Sequence, residues 1–263
     1  MSQHDRNFDD LALRFADKVY GGLKGQIRLA VIWRDLQQQL PDLIAASHSK
    51  SLRILDLGGG LGQIAIKLAL QGHEIVFNDI SPIMVEEAKQ VAEEQGVADR
   101  FQWHVGPYQN LRPDDLGQFD LILCHAVLEW LDQPQDLVAA LGQFCHSNTA
   151  LSLCFYNPAS KVYRNLICGN FKVLDKGQNY QSNTGSLTPN NPSEPDHVKQ
   201  WLRQYRFTLQ QVSGLRVFHD YVLEKRGGHQ VPDDVLAMEV KYSQLEPYKW
   251  MGRYLHFFAL YQG

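Results

Sequence analysis

The residues best suited to chemistry are a run of glycines and two aspartates. Residues 55–62 read LDLGGGLG, with Asp56, Gly58, Gly59, Gly60 and Gly62, and Asp79 closes the next apolar run, EIVFND. Backbone N–H groups at a helix start bind anions, and glycine lets a ligand approach closely. A dinucleotide loop of the form G-x-G-x-x-G needs a glycine at 63, where Gln63 stands. That spacing argues against a nicotinamide cofactor. Asp56 begins the turn, where its carboxylate can fix the loop or meet a ligand's ammonium. Asp79 can accept hydrogen bonds from both hydroxyls of a ribose. The plainer alternative for Asp79 is a turn-capping aspartate.

The G-x-G-x-G spacing resembles that of class I S-adenosylmethionine (SAM) methyltransferases. SAM has an amino-acid end, a ribose and an adenine, but no pyrophosphate. The Gly58–Gly60 backbone can lie against the amino-acid end. In this fold the segment after the third strand covers the adenine. Here it reads GPYQNL, which offers Tyr108 and Gln109; the Gln109 amide or a backbone N–H can meet the adenine edge. His125, in FDLILCHAV, falls at the tip of the fourth strand facing the cofactor; a helix-capping or core histidine is the alternative. No nucleophile–base pair is evident, so no catalytic residue is assigned and a positioning mechanism is expected.

These side chains need a framework, and the apolar pattern supplies it. LRILDL, EIVFND, FQWHV, FDLILCHAV and ALSLCFY read as strands, separated by helical stretches. Ser81-Pro82 is a good helix start. Further helices are expected near Phe8–Val19, Gln26–Ala46, Pro134–Phe144, after Pro158, at Asp196–Tyr205 and at Asp233–Gln244. FTLQQVSGLRVF and YLHFFALY are expected to form a terminal antiparallel pair. Alternating strands and helices imply an α/β fold with a mostly parallel, doubly wound sheet and ligands at the strand C-termini. Residues 175–195 are polar and rich in Gly, Pro, Asn and Ser, and read as a mobile loop.

Composition narrows the classes further. The chain has 263 residues and a net charge of −4, which does not announce a nucleic-acid binder. Yet residues 1–150 hold 12 Lys and Arg against 20 Asp and Glu, whereas residues 151–263 hold 13 against 9. The acidic half tolerates a sulfonium cation, and the basic half can face an anion. The four cysteines form no Cys-x-x-Cys pair and read as reduced core residues, with no metal site expected. No run approaches the ~18 apolar residues of a membrane span, and no signal pattern opens the chain, so a cytoplasmic protein is expected.

Several segments together narrow the match. DRNFDD, VYGGLKGQIR, LDLGGGLGQ, HAVLEW, FYN, GNF, RVFHDY and LEPY…GRYLH resemble the bacterial tRNA 5-carboxymethoxyuridine methyltransferase family over nearly the whole chain. The resemblance implies a Rossmann-like seven-stranded sheet with an antiparallel C-terminal strand. It implies SAM-dependent methylation of the carboxylate of 5-carboxymethoxyuridine at the tRNA wobble position. It also implies that Arg28 pairs with SAM's carboxylate, and that Gly58, Gly59, Asp79, Tyr108, Gln109 and His125 line the cofactor site. An acceptor carboxylate, with a pKa of about 4, is already ionised and needs no general base. Arg216 and Arg253 are candidates for the nucleotide or its phosphates, Asn157 for the uracil edge and Tyr156 for stacking on a base. Tyr20 and Lys24 are placed on a lid over the pocket, and Lys161 and Arg164 near the anticodon-stem backbone. The organisation expected is a helical lid over 1–48 and a methyltransferase domain over 49–263. The partner expected is the tRNA anticodon stem-loop. The rivals are a methyltransferase of small-molecule acceptors and a SAM-binding module without catalysis.

Overall fold

The computed structural model describes residues 22–41, 51–175, 189 and 191–263. The expected first helix, near Phe8–Val19, and Tyr20 lie outside these residues, as does most of the 175–195 loop. The strands are β1 (Arg53–Leu57), β2 (Glu74–Asp79), β3 (Phe101–Val105), β4 (Phe119–His125), β5 (Cys145–Tyr156), β6 (Phe207–Leu215) and β7 (Tyr254–Tyr261). They form one sheet in the order β3-β2-β1-β4-β5-β7-β6. β1 to β5 are parallel, and β7 runs antiparallel to both β5 and β6. Strand order reverses between β1 and β4, the switch point where open α/β sheets bind ligands.

The flanking helices are α1 (Gly22–Gln39), α2 (Gln63–Ala69), α3 (Pro82–Glu94), α4 (Pro113–Leu116), α5 (Pro134–Gly142), α6 (Pro158–Ile167), α7 (Phe171–Asp175), α8 (Pro195–Gln204) and α9 (Pro232–Tyr242). Proline opens α3, α5, α6, α8 and α9 within the first turn, where its missing N–H costs nothing. Ser81 caps α3 by accepting from Met84 N at 3.2 Å. Alternate residues of each strand face opposite layers. Leu123, Cys154 and Phe258 meet Ile27, Val31 and Leu36 of α1 on one face. Ile122, Leu153 and Phe257 meet Leu137, Leu141 and Leu202 on the other.

Two expected boundaries shift. α1 starts at Gly22 instead of Gln26, so Gly22 opens this helix. The second is at β6, which stops at Leu215 instead of running on to Phe218. Arg216 turns into the left-handed region at φ 60°. Beyond it the N–H groups of Val217, Phe218 and His219 leave the ladder and donate to the buried Glu239 carboxylate at 2.7, 3.1 and 2.7 Å.

Candidate functional site

The glycine loop is shaped by the protein's own packing as much as by any ligand. A Cβ on Gly58 would stand 2.4 Å from Val127 Cγ2, and one on Gly59 would stand 2.3 Å from Phe77 Cε2. Gly58 also adopts φ 68°, which L side chains avoid. The N–H groups of Gly58 and Gly59 both donate to Asn78 O, at 2.8 and 3.0 Å. Gly60 N–H donates to Asp79 Oδ2 at 2.8 Å, and Ser81 N–H to Asp79 Oδ1 at 2.9 Å. Asp79 therefore ties the loop to the end of β2. Each oxygen of a carboxylate has two lone-pair directions and can accept more than one hydrogen bond.

Around this corner the other candidates gather at one sheet edge. Tyr108 and Gln109 form a short 3-10 turn beyond β3, and Gly106 N–H donates to Asp79 O at 2.9 Å, fixing that turn beside the acid. His125 is the last residue of β4, and Ala126 after it turns to φ 61°. Arg28, buried on α1, lays its guanidinium 4.4 Å from the Tyr254 ring centroid at the start of β7.

Burial sets the charge states here. It pushes the Asp56 carboxyl up to about 8, with the Asp79 charge adding to the shift. Glu129, four residues beyond His125, is buried with neither carboxyl oxygen hydrogen-bonded. Burial pushes it up to about 7, while its own backbone and the Arg28 charge work in the opposite direction. Asp56, which burial keeps largely protonated at neutral pH, can give up that proton to meet a ligand's ammonium, and Asp79 beside it can accept from a ribose.

Past β5 the arrangement corrects two expectations. Asn157 is buried and its amide is occupied: Nδ2 donates to Trp250 O and Gly252 O at 2.8 and 2.9 Å, while Oδ1 caps α6 from Ala159 N at 3.2 Å. It positions the strand end and has no donor left for a uracil. Tyr156 is 1% exposed, with the Arg253 guanidinium 4.9 Å over its ring and Tyr254 packed edge-on at 5.5 Å. A base cannot reach its face, and its buried hydroxyl finds no hydrogen-bond partner.

Arg216 and Arg253 do come together. Arg216 Nη1 and Arg253 Nε stand 3.6 and 3.8 Å from one oxygen of Asp220, Oδ2, both too long for a hydrogen bond. Lys24 lies apart from the glycine loop. It joins His219, Asp220, Val222, Lys225 and His229 around a cavity of about 260 Å³ on the Asp220 side. Arg164 points inward and donates to the Asp220 carbonyl; Lys161 sits one turn earlier on α6. Sequence reasoning missed Asp35, Glu129, Ser152, Asp220, Glu239, Tyr254 and His256. Polar residues inside apolar runs, such as His256 in YLHFFALY, were the available signal.

Residues 54–147 match a family model described as a methyltransferase domain. A magnesium protoporphyrin IX methyltransferase from Synechocystis PCC 6803, solved with bound SAH, superposes with TM-score 0.61 at 16% identity, covering 97% of this chain and 96% of that one. A putative sarcosine dimethylglycine methyltransferase from Galdieria sulphuraria superposes with TM-score 0.60 at 13% identity, covering 95% and 98%. The sheet order and the matched domain define the class I methyltransferase fold. The tRNA 5-carboxymethoxyuridine methyltransferase of Escherichia coli strain K12 is 38% identical over 252 residues, which span 96% of this chain and 95% of that protein. The chain belongs to that family. A ubiquinone biosynthesis O-methyltransferase from Xanthomonas axonopodis is 24% identical over 62% of the chain.

Proposed function

We propose that this enzyme methylates the carboxylate of 5-carboxymethoxyuridine at the tRNA wobble position, forming the methyl ester. Family membership is one support. The observation in the structure that carries the reading is the loose Arg216–Asp220–Arg253 cluster, in which two guanidiniums share one carboxylate oxygen. Such a cluster has a positive charge in surplus, and an arginine fork suits an incoming carboxylate. It lies where β5, β6 and β7 meet, on the same sheet edge as the glycine loop. Tyr156 Oη, buried without a partner, is a neighbouring donor for that anion.

Bound SAM supplies the electrophilic methyl group. In the reading offered, Asp56, Gly58, Gly59 and Gly60 receive its amino-acid end, with Arg28 opposite its carboxylate. Asp79 takes the ribose hydroxyls, Tyr108 and Gln109 line the adenine side, and His125 faces the cofactor from the tip of β4. The acceptor is ionised at neutral pH, so the chain need not remove a proton. It must hold the two reactants together and keep water out, effects that together supply up to ~7–11 kcal/mol. The arginines must not grip the acceptor too firmly, because its oxygen loses charge as the ester forms.

The cavity lined by Lys24, Lys225, His219 and His229 is the candidate seat for a phosphate of the anticodon stem-loop, with Lys161 on the adjoining helix. The division into a lid over 1–48 and a catalytic unit over 49–263 is kept as a proposal, with one refinement. Ile27, Val31 and Leu36 of α1 are fully buried, so this helix belongs to the core of the catalytic unit. No helix among the described residues is long and apolar enough to cross a membrane, and we place the enzyme with its tRNA in the cytoplasm.

The test is to incubate the protein with methyl-labelled SAM and tRNA bearing the free acid. Label on the tRNA should be released by mild base, as an ester must be. Base-stable label would move the acceptor to nitrogen or carbon. Label appearing only on a small-molecule acid would favour the rival acceptor class.

A further inference from the structure

A continuous hydrogen-bonded chain crosses the buried sheet face from α1 to the site. Asp35 Oδ2 lies 2.7 Å from His256 Nδ1. His256 Nε2 lies 2.8 Å from Ser152 Oγ, and Ser152 Oγ lies 2.8 Å from His125 Nε2. Asp35, Ser152 and His256 are each 0–1% exposed. The sheet explains the alignment: Cys154 pairs with His125 on one side and His256 on the other, and Ser152 sits two residues back on the same face. Asp35 comes from α1, two turns after Arg28 on the same buried stripe.

The donors and acceptors can be ordered from the Asp35 end. Asp35 Oδ1 already accepts from Arg34 Nε at 2.8 Å and Gln244 Nε2 at 3.0 Å. Burial opposes ionisation of Asp35, but the His256 hydrogen bond and the Arg34 charge outweigh it and hold the carboxyl below its usual range. An ionised Oδ2 can only accept, so His256 Nδ1 carries a proton. Arg34 Nη2 stands 2.7 Å from Asp35 Oδ1 and supplies the counter-ion of that carboxylate, and the Ser152 hydroxyl is taken as donor to His256 Nε2. Ser152 Oγ then accepts from His125 Nε2–H. Burial, with the Arg28 charge acting in the same direction, keeps His125 well below the usual imidazole range, so the ring is neutral and carries one proton.

We infer that Asp35, His256 and Ser152 are positioning residues that fix His125 as its Nε2–H tautomer and turn the Nδ1 lone pair toward the methyl donor. The inference rests on the reading that His125 lines the donor pocket. It assigns the site a hydrogen-bond acceptor for a donor group of SAM, one that adds no positive charge near the sulfonium. It also links the donor pocket to α1 through a polar chain inside an apolar core, which a buried network must satisfy fully to be tolerated.

Nitrogen-15 NMR of the histidine rings reads this directly. The wild-type protein should show His125 as a single tautomer with unprotonated Nδ1, and that resonance should move on adding S-adenosylhomocysteine. Ser152→Ala should give a mixed His125 tautomer and weaken SAM about 5- to 10-fold, the scale of one hydrogen bond, with the KM for tRNA unchanged. Ser152→Thr, which keeps the hydroxyl, should restore both. Asp35→Asn gives a second, nearly isosteric disruption with the same expected direction. A proton on Nδ1 in the wild-type protein, or a tautomer unaltered in both Ser152→Ala and Asp35→Asn, would overturn the relay. A tautomer that depends on Ser152 but ignores S-adenosylhomocysteine would instead overturn the placement of His125 at the donor pocket, and the inference with it.

Discussion

Asp79 carries two duties at the residue scale: it pins Gly60 and Ser81, and in the proposed reading it holds the ribose. Asp79→Ala should therefore weaken SAM by about 100-fold or more, since charge-assisted hydrogen bonds contribute ~1.5–3 kcal/mol each. Calorimetric titration that finds affinity intact would place the sugar elsewhere. Asp56 and Glu129 make the free protein pH-sensitive. Their folded-state values, about 8 and about 7, lie above their unfolded ones, so between about pH 4 and those values the folded chain keeps protons that the unfolded chain has lost. Stability contributed by these groups is full below about pH 4 and is lost as pH rises from there to about 7 and 8. Asp56→Asn and Glu129→Gln should each flatten the fall in Tm between about pH 4 and those values. The ammonium of SAM favours ionised Asp56, so binding near pH 7 should release a proton. Heats measured in buffers of different ionisation enthalpy would show the release, and Asp56→Asn should remove it.

The turn after β6 shows how an element's end is specified from a distance. Three backbone N–H groups at 217–219 are satisfied by Glu239, a residue on α9, and this arrangement presents Arg216 and Asp220. Glu239→Ala leaves those donors unpaired in a buried place. It should cost about 3 kcal/mol by chemical denaturation and raise the KM for tRNA as Arg216 shifts. Arg253→Ala should leave SAM affinity unchanged and raise the KM for tRNA roughly 10- to 100-fold, the worth of a charge-assisted contact. A loss in SAM affinity instead would mean the cluster serves the donor. GLRVF is strongly apolar, and nothing within it announces that the strand stops at Leu215.

Across the whole molecule, the chain's two halves differ in charge, with an acidic first 150 residues and a basic remainder. Few phosphates can be neutralised by so modest a surplus, so tRNA binding should be weak and salt-sensitive. Its dissociation constant should rise severalfold between 50 and 200 mM salt, a span over which a larger phosphate interface loses 10³ or more. Binding indifferent to salt would point to base contacts instead of the backbone.

The sequence by itself determined the strand–helix alternation, the glycine corner and the acid at the end of β2, because these depend on local periodicity and on turn residues that only certain side chains allow. It also carried the arginines as candidates, since a guanidinium is recognisable wherever it stands. Only the tertiary structure decided what each polar group has left to offer. Asn157 was legible as a strand-end amide, but Trp250 and Gly252, far along the chain, use its donors. His125 was legible as a tip residue, yet its proton is ordered by Asp35 and His256 from opposite ends of the sequence. Donor and acceptor capacity is set by whichever groups come within 3 Å, and the fold, through pairings that span the whole chain, brings them there.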